Sequence, residues 1–131
     1  MAFNEYVKQF IVPASAIDGM NHVNNVTYLQ WCLEGAEAHW VNRASVELRT
    51  AFVWVVLHHY IEYKNPAFEG DELELRTWVT SAEGVKSERQ YSITRLRDNK
   101  EIVSAKTLWC LLDAKTQKPT KIQEEIRTLF Q

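Results

Sequence analysis

Asp18-Gly19-Met20-Asn21-His22-Val23-Asn24-Asn25-Val26-Thr27-Tyr28-Leu29-Gln30-Trp31 is the stretch on which the reading of this chain turns. It sets an acid, an imidazole and three amides directly before an apolar helical pattern. Asn is among the preferred N-caps, and a helix start needs one cap. Five polar side chains exceed that need. Such a string puts a carboxylate beside the unpaired backbone N–H groups of a helix N-terminus. The positive end of the helix dipole there suits a carbonyl oxygen that gains negative charge.

Working outward, Val26, Leu29, Leu33, Ala36 and Trp40 recur at three- and four-residue spacing, which predicts a helix from about Val26 to Val41 with one apolar stripe. Upstream, Glu5 to Val12 reads as a short strand ended by Pro13, followed by a loop from Ala14 to Asn24. After Glu47 the period changes. Phe52 to Tyr63 is rich in Val, Tyr and Ile and reads as a long strand, with Pro66 and Gly70 marking a turn. Glu72 to Ser81 alternates, Gly84 sits in a hairpin, and Lys86 to Arg97 alternates with one slip that suggests a bulge. Asp98-Asn99 is another turn, Ile102 to Asp113 a last long strand, and Gln123 to Phe130 a short amphipathic segment. One strand, one helix and four strands with hairpin-type connections predict an α+β fold, a curved antiparallel sheet wrapped around one central helix. Its edges favour pairing with a second copy of the chain.

The 131 residues predict one domain, 1–131, and the 46% hydrophobic content is ample for a core. A net charge of -2 gives no electrostatic footprint for nucleic acid. Cys32 and Cys110 lack any paired spacing and read as inert core thiols. His58 and His59 are adjacent on a strand, point to opposite faces and cannot share a metal. No metal and no cofactor are therefore expected. Met1 to Phe10 holds Glu5 and Lys8 and no long apolar run, so a cytoplasmic protein without a membrane segment is expected.

The block from Asp18 to Tyr28, with Trp31 and Glu34 beyond it, resembles the hotdog-fold acyl-CoA thioesterases of the 4-hydroxybenzoyl-CoA thioesterase-like family. Ile61-Glu62-Tyr63-Lys64-Asn65-Pro66-Ala67 and Gly70-Asp71-Glu72-Leu73 are similar to that family's second-strand ending and the turn after it. Lys118-Pro119-Thr120-Lys121-Ile122 is similar to its C-terminal turn. The family commonly has Gly before the His, where this chain has Asn21. The block also resembles plant acyl-carrier-protein thioesterases. Their additional Asn falls on Met20 here and their additional Glu near Pro66, which favours the CoA branch.

The resemblance implies a hotdog domain that hydrolyses an acyl-CoA to free acid and coenzyme A and assembles as a homodimer or homotetramer. A thiolate leaves readily, since thiol pKa values lie well below those of alcohols, so one carboxylate suffices without a Ser-His-Asp triad. Asp18 is the candidate nucleophile or general base. Backbone N–H groups near Asn24 and Asn25 are the candidate oxyanion site, with His22 and the Asn24 side chain orienting loop or water. Glu34 resembles the family's helical acid and is an additional candidate. Lys86, Ser87 and Arg89 stand where the family often contacts the coenzyme A nucleotide. Three alternatives share these features. They are an acyl-ACP thioesterase, an enoyl-thioester hydratase (disfavoured because His22 follows Asp18 by four positions and no proline intervenes), and a non-catalytic acyl-CoA-binding protein.

Overall fold

The computed structural model describes residues 4–131. Its elements are β1 (Glu5–Ile11), α1 (Asn25–Arg43), α2 (Val46–Ala51), β2 (Phe52–Tyr63), β3 (Glu72–Glu83), β4 (Lys86–Arg95), β5 (Lys100–Asp113) and α3 (Glu124–Arg127), with 3-10 turns at Ala14–Ala16 and Thr128–Phe130. No helix among the described residues is long and apolar enough to cross a membrane.

All five strands pair antiparallel in one sheet of order β1-β3-β4-β5-β2. The expected elements are present with ends shifted by a residue or two. Their pairing differs from four successive hairpins. β3–β4 and β4–β5 are hairpins, whereas β2 pairs with β5 at the far edge. The reason lies in residues 64–71, which carry the chain across the ends of the inner strands. Lys64 and Asn65 donate their N–H groups to the Ile102 carbonyl, and the Arg95 guanidinium donates to the Pro66 carbonyl at 2.9 Å. Gly70, at φ +86°, and Asp71 then exchange backbone bonds with Val12, delivering the chain to β3 beside β1.

α2 was not foreseen. Ser45 caps it, its Oγ accepting from the Leu48 N–H at 3.1 Å, and the six-residue helix is too short to show a hydrophobic period.

α1 lies on the sheet through a face one position away from the predicted stripe. Tyr28, Cys32, Gly35, Ala36 and His39 are buried, recurring at i, i+4, i+7, i+8 and i+11. The stripe read from sequence mostly faces outward: Val26 is 72% exposed, and Leu29 and Leu33 are half-buried along an open groove. Gly35 permits the close approach, because a Cβ there would stand 2.6 Å from Leu75 Cδ2 on β3. The core beneath α1 is built from Leu73, Leu75, Tyr91, Ile93, Ile102, Val103 and Ala105. A smaller cluster of Leu111, Ile122 and Ile126 closes the C-terminal end.

The two sheet edges differ. β1 is short and borders a polar lattice, in which Arg76 pairs with Glu5 and Glu74 and Gln9 donates to Glu74. β2 has twelve residues and exposes Val53, Val55, Val56, Leu57, Tyr60 and Tyr63.

Candidate active site

The segment between the 3-10 turn and α1 folds back on itself. Ile17 and Val23 form an isolated antiparallel bridge, and inside it the Asp18 N–H donates to the His22 carbonyl at 3.0 Å. The Asn21 N–H donates to the Asp18 carbonyl, and Asn21 closes the turn at φ +69°. That left-handed conformation is one Asn tolerates better than most residues, so Asn21 closes the turn without a glycine. Asp18 is itself an Asx-turn residue, its Oδ1 accepting from the Met20 N–H at 2.8 Å. Oδ2 makes no hydrogen bond among the described residues. His22 Nδ1 stands 3.6 Å from Asp18 Oδ1, beyond hydrogen-bond range but close enough for an imidazolium to be attracted.

Asn24 is the N-cap. Its Oδ1 accepts from the Val26 N–H at 2.9 Å and its own N–H donates to Ala16. The Oδ1 of that side chain is thus engaged in capping. Asn25 becomes the first helical residue, and its N–H makes no hydrogen bond among the described residues. One free N–H at the positive end of a 19-residue helix thus lies two residues past the bridge that closes a loop carrying an unpaired carboxylate oxygen.

The loop is held from below by residues the sequence did not single out for this purpose. Ala67, fully buried, accepts from the Val23 N–H at 2.9 Å and donates its own N–H to the Tyr28 Oη at 3.1 Å. Burial raises the Tyr28 phenol above its ordinary range and keeps it protonated at neutral pH. Tyr63 at the end of β2 donates to the Asn25 carbonyl at 3.3 Å. Arg95, buried beneath the crossing segment, binds Asp71 and Asp98 as well as Pro66. Tyr28 and Tyr63 were visible within the motifs quoted, but a tyrosine in a motif does not declare its hydrogen-bond partner.

Glu34 is exposed, nine residues past Asn25 and so about 13 Å along the helix, in the outer groove with Val26, Leu29 and Leu33. Of the three residues expected at a nucleotide contact, Lys86 is exposed, whereas Ser87 and Arg89 are buried. The Ser87 hydroxyl donates to the Ser81 carbonyl. Arg89 points under the C-terminal half of α1, where its Nη1 donates to His39 Nδ1 at 2.9 Å and Thr77 Oγ1 at 3.1 Å. Alternation along β4 explains this: Ser87 and Arg89 share the inward face with Tyr91 and Ile93. Cys32 is buried and its thiol is pushed up to about 12 by burial, as suits an inert core thiol.

The chain belongs to the thioesterase-like superfamily, whose family model matches residues 12–130. Among solved structures it is similar to a probable thioesterase from Escherichia coli (25% identical, 95% of each chain, TM-score 0.85) and to a 1,4-dihydroxy-2-naphthoyl-CoA thioesterase from Synechocystis (20% identical, 96% of this chain and 95% of that one, TM-score 0.83). These share the hotdog arrangement of one helix wrapped by an antiparallel sheet, as the sequence predicts. Among curated proteins it is similar to a chloroplastic acyl-[acyl-carrier-protein] hydrolase from Cuphea viscosissima, at 28% identity over 75 residues. That alignment takes in 57% of this chain, which spans about a fifth of the relative's length (18%).

Proposed function

We propose that residues 1–131 form one hotdog domain that hydrolyses acyl-CoA thioesters to free acid and coenzyme A. The observation that carries the reading is the pairing of Asp18, with one carboxylate oxygen unengaged, and the free N–H of Asn25 at the start of α1. The Asn25 N–H receives the thioester carbonyl and stabilises the oxyanion. Asp18 either takes a proton from water as that water attacks the carbonyl carbon, or attacks the carbon itself. The C–S bond then breaks, and the thiolate departs without needing a strong acid; on the water route this gives the free acid at once, and on the direct route it leaves an acyl-aspartyl anhydride that a water hydrolyses to the free acid and the Asp18 carboxylate. His22 steadies the Asp18 loop, Glu34 lines the groove along which the acyl group or a partner lies, and Lys86 is the exposed cation for a coenzyme A phosphate.

Two copies complete the site. The exposed edge of β2 and the outer groove of α1, from Val26 to Leu33, are apolar surfaces that one protomer leaves open, and a second copy covers them in a homodimer or a tetramer of paired dimers.

The test is Asp18→Asn, which removes the anion and nearly preserves shape. Expected is a fall in kcat of about 10²–10⁴, the range for a positioned acid–base group, with KM little changed. An Asn variant that hydrolyses its best acyl-CoA at near the parent rate removes Asp18 from the mechanism. A second reading, acyl-ACP hydrolysis, is favoured by the Cuphea relatives, which are acyl-carrier-protein hydrolases. Offering one acyl group on both carriers decides between them by kcat/KM.

A further inference from the structure

Under the C-terminal half of α1 lies a cavity of about 360 Å³, walled by Trp40, Phe52, Trp54, Trp109, Ile126 and Phe130. Trp40 stands fifteen residues past Asn25, about 22 Å along the helix axis, so this chamber is remote from Asp18. The outer groove adjoins it along α1, where Leu33 and Glu37 line both spaces.

One wall of this apolar chamber carries a buried cation. Arg89 is 5% exposed, and no carboxylate among the described residues lies within ion-pair range of it. Residues 1–3 contribute no acidic side chain. Nη1 is fully used by His39 and Thr77, and Phe130 lies against the guanidinium at 5.3 Å. Nε and Nη2 make no hydrogen bond among the described residues. The neighbours leave no room for His39 to serve as an anion: its Nδ1 accepts from Arg89, so Nε2 carries the proton toward Asn4 Oδ1 at 3.0 Å. The other charged groups lining the chamber are Arg49, Arg127 and, at the exposed rim, Glu37. Arg127 is paired with Glu124, and Arg49 is held by the Ala44 carbonyl. The chamber thus carries an excess of positive charge on apolar walls. Burying a charge without a counter-charge is costly, and a carboxylate presented to the free Nε–Nη2 edge of the guanidinium relieves that cost with a bidentate bond.

We propose that this chamber binds a carboxylate on an apolar body, with Arg89 as the specificity-determining residue. Two sources share this chemistry. One is a free fatty-type acid; the other is the far end of an acyl group whose thioester sits at Asp18, and this second source alone rests on the thioesterase reading.

Calorimetric titration of the parent protein with decanoate, decanamide and decanol tests the site. Decanoate should bind more tightly than either neutral probe by about tenfold or more. Arg89→Met should erase that margin, while Arg89→Lys keeps part of it. Equal affinities in the parent, or a margin that survives Arg89→Met, overturn the proposal. Should Arg89→Met fail to fold, Ala82→Phe fills the chamber and leaves Arg89 in place. It must abolish decanoate binding, and retained binding overturns the site. Hydrolysis then separates the sources. A kcat/KM for octadecanedioyl-CoA above that for stearoyl-CoA, lost in Arg89→Met and kept in part in Arg89→Lys, assigns the carboxylate to the acyl group, since a chain of that length spans the distance from the start of α1; equal values assign it to a free acid. If no thioester is hydrolysed, the proposed activity fails while the titrations still decide the chamber.

Discussion

Replacing Tyr28 by Phe tests whether the candidate loop depends on one buried oxygen. The ring packs edge-on against Trp31 at 5.8 Å and near Tyr63 at 5.9 Å, contacts that Phe keeps. What it loses is the acceptor for the Ala67 N–H, in a place where water does not reach: Ala67 is 0% and Tyr28 3% exposed. A backbone donor stranded this way costs about 1–3 kcal/mol, and its completely dry setting argues for the middle of that range, about 2 kcal/mol. For a chain of this size that lowers the melting temperature by roughly 8 °C. Calorimetry of parent and variant at one protein concentration measures it, since any association shifts both transitions. Because the same residue's carbonyl holds Val23, the loop carrying Asp18 loosens too, and kcat should fall about tenfold while KM holds. A variant melting within about 1 °C of the parent refutes the reasoning, for the Ala67 N–H would then have another partner.

Asn24→Ala removes the α1 cap and should cost about 1 kcal/mol in urea denaturation, whereas Asn24→Asp should restore stability. His39, held down to about 4 by burial and then by Arg89 and Arg43, stays neutral in the fold while the unfolded chain protonates near 6.5. Its contribution is therefore complete above pH 6.5 and is lost as pH falls toward 4, on the order of 3 kcal/mol in all. Denaturation of parent and His39→Gln at pH 7.5 and 4.5 should show the parent losing more. Val55→Lys places a charge on the exposed β2 edge and should convert the proposed dimer to a 15.3 kDa species in sedimentation. A parent that sediments at that mass while active removes the need for a partner copy.

The elements were legible because their signals are local. Alternation in Leu73 and Leu75 and in Tyr91 and Ile93 marks the inward faces of β3 and β4, and those residues form the core. Pairing is a long-range property, so nothing in Phe52 to Tyr63 says that β2 joins β5 rather than its neighbour in sequence. The outward stripe of α1 misled for a physical reason. Its core face contains a glycine and a histidine, Gly35 and His39, while apolar Val26, Leu29 and Leu33 lie on the open side. The position of the helix start after the polar string was readable from residue types alone. What needed coordinates was the division of labour, with Asn24 capping and the neighbouring Asn25 N–H left free. The inward turn of Arg89 was implied by period-two alternation, yet its partners on α1 were not.

In the proposed dimer the unequal edges would give the sheet a valence of one. A strand ladder grows wherever it presents a long, flat, apolar border, and indefinite growth is the route to fibres. Here β2 offers the longer apolar border, with a register shift between Val56 and His58, while β1 is seven residues long, exposes Lys8 and Gln9 beside Val7 and Ile11, and runs into Pro13. Joining two copies along β2 consumes both receptive borders and leaves a β1 at each outer end. Assembly through the proposed β2 contact would terminate at its first step, because each monomer carries its own chain stopper.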